Sequence, residues 1–465
     1  MIRSTNPTTG EVIEEYDEMS DGTVDDLIRR AHGAHLEWRK VPLDDRSELL
    51  REAASVLRSR TDDYARLMAL EMGKPVGDGR GEVEKCAWTF DFYADNGAAF
   101  LEPEVVKTDA MRSYVTFQPL GVVLAVMPWN FPFWQVMRFV APALMAGNAG
   151  VLKHASNVPG SALAIEEVVR DAGFPRDLFR TLLIGSRKVD RVIEDPHIKA
   201  VTLTGSAPAG RAVAGKAGQM LKRTVLELGG SDPYVVLEDA DLEGTVATCV
   251  ASRLINGGQS CIAAKRFVVV EPLIERFEEL YVEKMRQAVM GDPLDEATTM
   301  GPMARHDLRD ELHDQVQRTV GQGARLLLGG EVPGGPGAFY PATVLTGVRK
   351  GMAAYGEELF GPVATIIAAR DEEDAVRIAN DTAFGLGSAV FTRDLERGER
   401  IARDGLEAGS AFVNTFVRSD PRLPFGGIKE SGYGRELSHY GIREFMNAKT
   451  VFVGGQVQNV ERAAE

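Results

Sequence analysis

The feature that most constrains the fold is an alternation of short apolar runs and helical stretches, which starts at Gly121 and continues to about Phe425. The first three runs are GVVLAVMP at 121–128, AGVLK at 149–153 and KAVTLTGS at 199–206. Short apolar runs of this kind are typical of parallel strands that are buried on both faces. Because a helical stretch follows each run, the pattern predicts a doubly wound α/β fold whose ligands bind at the carboxyl ends of the strands.

Composition excludes several classes of function. The 465 residues are enough for two or three domains, and the net charge of −15 argues against nucleic acid as a partner. The three cysteines, Cys86, Cys249 and Cys261, form no CxxC pair and no cluster with histidine, so we expect a reducing compartment, the cytoplasm, and no metal. The sequence shows no apolar leader and no apolar stretch of membrane-spanning length, so we expect neither a signal peptide nor a membrane segment.

The stretch 225–266 places a carboxylate and a thiol where α/β folds carry their chemistry. Glu227 ends a short run of β-forming residues, where a strand leads into a loop with two glycines. Cys261 follows the residues NGGQS, whose glycines allow the backbone to approach a substrate closely. A thiol here could attack a carbonyl, and a carboxylate could then activate water. Taken singly, a small buried cysteine and a solvated loop glutamate are the ordinary alternatives.

The motifs ELGG at 227–230 and NGGQSC at 256–261 resemble the paired signatures of the aldehyde dehydrogenase superfamily, which oxidises aldehydes to acids with NAD or NADP. The resemblance runs from STNPTTGE near the start of the chain to SGYGREL near its end. It implies that Cys261 is the nucleophile and that Glu227 activates the water that releases the acyl group.

Four further positions match the superfamily residue by residue. The resemblance implies that Asn130, in PWNFP, donates its amide to the oxyanion that forms when Cys261 attacks. It also implies that Lys153 binds the adenosine ribose, that Glu358 holds the nicotinamide ribose and that Phe360 lines the nicotinamide pocket. The ordinary alternatives are a turn asparagine, two solvated charges and a core phenylalanine.

The segment GSAPAG at 205–210 lies where a dinucleotide fingerprint is expected, although it is not GxGxxG. Gly205 allows close approach of a ligand, and Ser206 begins a helix whose free N–H groups suit a pyrophosphate. A capped helix start is the alternative interpretation. Trp129 and Leu228, which belong to the matched motifs, are expected to contact the cofactor as well.

Ser156 bears on the choice between the two cofactors. Many NAD-specific members of the superfamily have a glutamate three residues after the lysine that Lys153 matches, and this glutamate repels a 2′-phosphate. A serine removes that repulsion and can donate to phosphate. We therefore expect that NADP is accepted and preferred over NAD, unless Ser156 is only a loop hydroxyl.

Within the superfamily, KHASNVPG, GPMAR and DLRDELH look most similar to bacterial succinate-semialdehyde dehydrogenases. Such a substrate carries a carboxylate, which needs a cation in the tunnel wall. Arg138 is predicted to meet this need, because it lies eight residues, about two helical turns, after Asn130. Ser419, Trp134 and Phe425 are expected to line the same tunnel. The alternative for Arg138 is a salt bridge on a helix surface.

The resemblance also implies a domain organisation. Residues 1–100 and 120–230 are predicted to form the dinucleotide-binding domain, and residues 231–439 the domain that carries the thiol. Residues 101–119 and 440–465 contain β-forming runs and are predicted to form an arm and tail that build a homodimer or homotetramer.

The competing functions differ in the substrate, in how the acyl group is released, or in whether catalysis takes place at all. The alternatives are oxidation of glutarate semialdehyde or a general aldehyde, transfer of the acyl group to CoA, or a relative without catalysis. CoA-acylating members of the superfamily typically lack the carboxylate at the position of Glu227, so its presence counts against that alternative.

Overall fold

A computed structural model describes residues 1–455 of the chain; the last ten residues of the predicted tail lie outside the described part. The strands, in chain order, are β1 Ile2–Thr5, β2 Val12–Tyr16, β3 Glu104–Val105, β4 Arg112–Pro119, β5 Val122–Met127, β6 Ala149–His154, β7 Phe179–Thr181, β8 Ile198–Thr204, β9 Arg223–Glu227, β10 Pro233–Val236, β11 Arg266–Val270, β12 Arg325–Leu328, β13 Thr343–Thr346, β14 Val363–Ala369, β15 Gly387–Phe391, β16 Ser410–Val413, β17 Gly432–Tyr433 and β18 Met446–Val453.

Helices fill most of the connections between these strands. The α-helices are α1 Asp21–Trp38, α2 Leu43–Ser59, α3 Thr61–Met72, α4 Val76–Phe100, α5 Trp134–Met145, α6 Pro159–Asp171, α7 Val189–Glu194, α8 Ala207–Gln219, α9 Leu242–Leu254, α10 Ile274–Met285, α11 His306–Gly321, α12 Ala353–Gly356, α13 Glu372–Asn380, α14 Leu395–Arg400 and α15 Ser438–Arg443.

Two open sheets organise the molecule. The first has six strands in the order β17-β9-β8-β5-β6-β7, and the second has seven in the order β12-β13-β14-β11-β10-β15-β16. The central strands of both sheets are parallel, and only β17 and β12 run antiparallel at an edge. The predicted α/β fold class is confirmed.

The second sheet is covered on both faces. Along β10 and β11, alternate residues belong to different hydrophobic cores: Val235 and Val268 lie in one, and Tyr234 and Phe267 in the other. This follows from the two-residue period of a strand, which points successive side chains to opposite faces. The near-continuous apolar runs of the sequence therefore reflect burial on both sides.

The segments predicted as arm and tail form a small three-stranded antiparallel sheet, β18-β4-β3. Its longest pairing runs from Met446 opposite Pro119 to Val453 opposite Arg112. Phe452 is exposed on this sheet although it is apolar.

The helical stretch 43–72 is interrupted once. Its apolar residues recur at helical spacing along the sequence, but α2 ends at Ser59 and α3 begins at Thr61. Arg60 between them leaves helical geometry, with φ −122° and ψ 24°. The Thr61 hydroxyl donates to the Arg58 carbonyl (3.0 Å), which is an alternative to the continuing helical bond. Apolar periodicity did not show this break because both halves bury the same kind of face.

The end of the chain returns to the first sheet. The short strand β17 pairs with β9, with Gly432 opposite Glu227. Phe425, Leu437 and Ile442 pack in the hydrophobic core of that sheet. Residues 425–446 thus adjoin the first sheet, although most of them belong to the stretch predicted for the thiol domain. A two-residue strand carries no period from which the sequence could have shown this.

Candidate active site

The loop that carries Cys261 has an unusual backbone. After α9, three consecutive residues, Asn256, Gly257 and Gly258, have φ of +53°, +60° and +76°. At Gly258 a Cβ atom would overlap the Gly361 carbonyl group, so only glycine fits there. The loop reverses the chain and presents the Cys261 thiol at a cleft between the two sheets.

A buried lysine holds this loop in place. The Lys265 ammonium donates to the carbonyl groups of Ser260 and Cys261, at 2.9 Å each, and pairs with Glu358 at 3.3 Å. Three contacts around one buried cation fix the loop with respect to the opposite wall of the cleft. Burial lowers the pKa of Lys265, while the Glu358 charge opposes the shift.

Asn130 links the first sheet to the Cys261 loop. Its side-chain amide donates to the Gln259 carbonyl at 3.0 Å, and the Asn256 amide donates to the Asn130 carbonyl at 2.8 Å. Asn130 is buried and borders the same cleft as Cys261. An amide nitrogen carries two hydrogens, so one remains for an oxyanion beside the thiol.

The Cys261 thiol is held in its protonated form. Burial raises its pKa to about 12, although the nearby charges of Arg138 and Lys265 oppose this shift. Since the thiolate is the nucleophile, the reaction needs a base for the thiol proton.

Two carboxylates and one guanidinium form a buried group next to the thiol, which we call the carboxylate cluster: Glu227, Glu436 and Arg138. Glu227 lies at the carboxyl end of β9 and is 2% exposed, and neither of its oxygens has a hydrogen-bond donor among residues 1–455. Arg138 pairs with Glu436 and donates to the Thr204 hydroxyl at 3.2 Å. Burial raises the pKa of Glu227, and the Glu436 charge raises it further.

Arg138, which was predicted to bind the substrate carboxylate, already has a carboxylate partner in the protein. Its guanidinium is buried, has a protein carboxylate as partner and lies 5.1 Å from the centre of the Phe425 ring. Phe425 also fixes Glu436, because the two residues exchange backbone hydrogen bonds of 2.8 and 2.7 Å. Binding of a substrate by Arg138 or Phe425 stays a prediction, and Glu436 is a member of the site that sequence reasoning missed.

A second cation lies beside two other residues predicted to bind substrate. The Lys85 ammonium donates to the Ser419 hydroxyl at 2.7 Å and lies 4.3 Å from the centre of the Trp134 ring. We call Lys85, Trp134 and Ser419 the lysine cluster. Sequence reasoning missed Lys85 because it lies in the middle of α4, in a stretch whose expected role was structural. The buried neighbours Val83, Cys86 and Ala87 were the available signal.

The cleft has a volume of about 540 Å³. Six of the eight residues predicted to bind the cofactor line it, and they are Trp129, Gly205, Ser206, Leu228, Glu358 and Phe360. We call this space the cofactor cleft.

Local structure in the cofactor cleft suits a dinucleotide. Helix α8 begins at Ala207, and the Ser206 side chain makes no capping hydrogen bond, so the N–H groups of Ala207 and Ala209 are left for a ligand, whereas Pro208 has none. In the same cleft Trp129 and Phe360 meet edge to face, with ring centres 5.8 Å apart. A helix N-terminus and two aromatic rings in one cleft match a pyrophosphate and a flat ring.

Lys153 and Ser156 lie beside the cofactor cleft rather than on its lining. Lys153 is buried near the end of β6, where burial lowers its pKa, and Ser156 is exposed in the turn that follows. β6 is the neighbour of β5, which leads to Trp129, so both residues share the carboxyl edge of the first sheet. Their roles stay predictions.

These features define an α/β protein that holds a thiol between a dinucleotide-sized cleft and a buried carboxylate. The aldehyde dehydrogenase family matches residues 1–451, and the chain belongs to that family. In the described part, no helix has the length and apolarity that a membrane crossing requires. No group of three or more histidine, cysteine, aspartate or glutamate residues within 1–455 is arranged to hold a metal ion.

Relatives with similar sequences share one enzyme name. A succinate-semialdehyde dehydrogenase [NADP(+)] of Mycobacterium avium is 49% identical over 457 residues, which cover 97% of each chain. A probable enzyme of the same name from Synechocystis is 48% identical and covers 97% of this chain and 99% of its own. The solved structure of succinic semialdehyde dehydrogenase from Streptococcus pyogenes with NADP⁺ is 40% identical, has a TM-score of 0.96 and covers 98% and 100% of the two chains.

Proposed function

We propose that this enzyme oxidises succinate semialdehyde, or a closely related small aldehyde with a carboxylate, to the acid, with NADP as its preferred cofactor. The observation that carries the proposal is the position of Cys261, which faces the cofactor cleft and lies next to the carboxylate cluster. The relatives named above support the choice of substrate and cofactor.

In the first step Cys261 attacks the aldehyde carbon. The thiol loses its proton to water in the cleft, and the sulfur forms a bond to the carbonyl carbon. The resulting oxyanion accepts hydrogen bonds from the Asn130 amide and the Cys261 backbone N–H. A placed donor of this kind lowers the barrier by about 3–4 kcal/mol.

The residues of the cofactor cleft fit a nicotinamide dinucleotide, which when bound accepts the hydride from the aldehyde carbon. Glu358 holds a ribose through its carboxylate, which also pairs with Lys265 and accepts the Gly230 backbone N–H. The start of α8 offers its N–H groups to the pyrophosphate. Lys153 and Ser156 are proposed to bind the adenosine ribose and its 2′-phosphate.

In the last step Glu227 activates the water that releases the acid from the Cys261 thioester. A base must be unprotonated to accept the water proton, and burial beside Glu436 raises the pKa of Glu227. The raised pKa makes its carboxylate a stronger base than an exposed glutamate. Attack of the water forms the acid and restores the thiol.

The substrate class can be tested with a panel of aldehydes. We expect the highest kcat/KM for succinate semialdehyde with NADP, in comparison with glutarate semialdehyde, a betaine aldehyde and butanal, each with NAD and NADP. A higher value for butanal or the betaine aldehyde would overturn the proposal. Adding CoA to the same assays shows whether an acyl-CoA forms, and we expect the free acid instead.

We further propose that the enzyme is a homodimer or homotetramer. The three-stranded sheet of the arm leaves Val105 and Phe452 exposed, and an open sheet edge with apolar side chains is usually covered in solution. Light scattering gives the mass directly, and a monomer at micromolar concentration would contradict this assignment.

A further inference from the structure

We propose that Lys85 is the cation that binds the carboxylate of the substrate and so determines the preference for acidic aldehydes. This inference rests on the proposed function and deepens it. It concerns a residue that the sequence did not suggest.

The first argument is that Lys85 lacks a carboxylate partner. Among residues 1–455, no carboxylate lies within 4 Å of its half-buried ammonium group, whereas the buried Arg138 pairs with Glu436. The Ser419 hydroxyl accepts one of the three hydrogens of the Lys85 ammonium. Two hydrogens therefore remain for a ligand.

The carboxylates nearest in the fold are already engaged. Glu82, on the same helix as Lys85, pairs with Lys74 and accepts the backbone N–H groups of Phe133 and Trp134 at 2.9 Å each. Asp420 pairs with Arg422 at 2.6 Å. Since neither group faces Lys85 within ion-pair distance, its half-buried charge is left for a group from outside the protein.

The second argument is the chemistry of the lysine cluster. A carboxylate placed there would meet the Lys85 ammonium and the Ser419 hydroxyl, whose own hydrogen is free because its oxygen accepts from the lysine. The Trp134 ring forms an apolar wall for the methylene groups of the substrate. Trp134 and Arg138 lie one turn apart on α5, so the lysine cluster borders the carboxylate cluster beside Cys261.

A third observation concerns ionisation. Burial lowers the pKa of Lys85 to about 8, and the charge of Arg138 from α5 lowers it further. Glu82 on α4 and Asp420 on the following loop oppose the shift, as does Cys86, whose own pKa is raised by burial. The cation is therefore present at neutral pH and is lost as the pH rises above about 8.

The test compares kcat/KM for succinate semialdehyde with that for butanal, which has the same length without the charge, using NADP and the full-length enzyme. The variants are Lys85→Met, which removes the charge, and Lys85→Arg, which keeps it. Lys40→Met is the matched control, because Lys40 is exposed just after α1 and, within residues 1–455, pairs only with its neighbour Glu37. Melting temperature and NADP binding show that each variant is folded.

We expect Lys85→Met to lower the ratio of the two kcat/KM values by at least about tenfold at pH 7, since removing one partner of a buried charged contact has a large effect. Lys40→Met should leave the ratio unchanged. In the wild type the ratio should fall between pH 7.5 and about 9.5, and in Lys85→Arg it should stay level, because arginine remains charged.

Two results would overturn the inference. One is an equal loss on both aldehydes in Lys85→Met, which would make Lys85 a residue that supports the fold. The other is the same fall with pH in Lys85→Arg as in the wild type, a comparison that holds even if Lys85→Met does not fold. If the wild type itself shows no preference for succinate semialdehyde, the proposed function fails first and the inference fails with it.

Discussion

The two sides of Cys261 differ in how they are built. The cofactor cleft is open, has a volume of about 540 Å³ and is lined by residues that stand in recognisable motifs. The opposite side is packed tightly around two cations, Arg138 and Lys85, whose partners come from distant parts of the chain. The residues of an open cleft can be predicted from local sequence motifs. The roles of packed charged residues cannot, because they depend on which charged groups the fold brings together.

The largest expected effect is at the thiol that joins the two sides. Cys261→Ala should lower kcat by more than about a thousandfold, because no covalent intermediate can form. NADP should still bind with wild-type affinity, since the thiol only borders the cofactor cleft. Calorimetric titration and a steady-state assay measure both quantities. Turnover retained in this variant would end the mechanism proposed here.

The next effect separates the two chemical steps. Glu227→Gln should lower the steady-state rate by about a hundredfold to ten-thousandfold, because the water that attacks the thioester is no longer activated. Rapid mixing should still show a burst of reduced cofactor equal to the enzyme concentration, because Glu227 acts only after the thioester has formed. A normal steady state without a burst would contradict the role of Glu227.

Arg138→Ala tests whether Arg138 binds the substrate or neutralises the carboxylates of the carboxylate cluster. Its loss leaves Glu227 and Glu436 buried without their counter-ion, so we expect the free energy of unfolding to fall by about 3–5 kcal/mol. We also expect kcat/KM to fall for succinate semialdehyde and butanal alike. Denaturant unfolding and the two assays test this. A loss confined to succinate semialdehyde would instead support direct binding by Arg138, as the sequence predicted.

The smallest expected effect lies at the edge of the cofactor cleft. Ser156→Glu should move the ratio of kcat/KM values for NADP and NAD towards NAD by roughly tenfold, because a carboxylate repels the 2′-phosphate. Ser156 is exposed, so the exchange should leave the melting temperature unchanged. Ser156→Ala is the control for loss of the hydroxyl alone. An unchanged ratio in Ser156→Glu would show that the 2′-phosphate is recognised elsewhere.

Much of the fold followed from local patterns. The apolar runs predicted β5, β6 and β8. The glycines before Cys261 indicated an unusual backbone there, and the structure has three residues with positive φ in this loop. The break at Arg60 and the pairing of β17 with β9 did not follow, because neither changes the apolar period of the sequence.

By itself, the sequence determined the α/β class, the family and the positions of the residues around the cofactor cleft, because strand and helix periods and glycine turns are local properties. Only the tertiary structure decided which charges are neutralised. It pairs Arg138 with Glu436 and brings Lys85 to Ser419, 334 residues along the chain. The physical reason is that a charge inside the protein is stabilised by the group that the fold places beside it. A local sequence pattern does not show which distant residue that group belongs to.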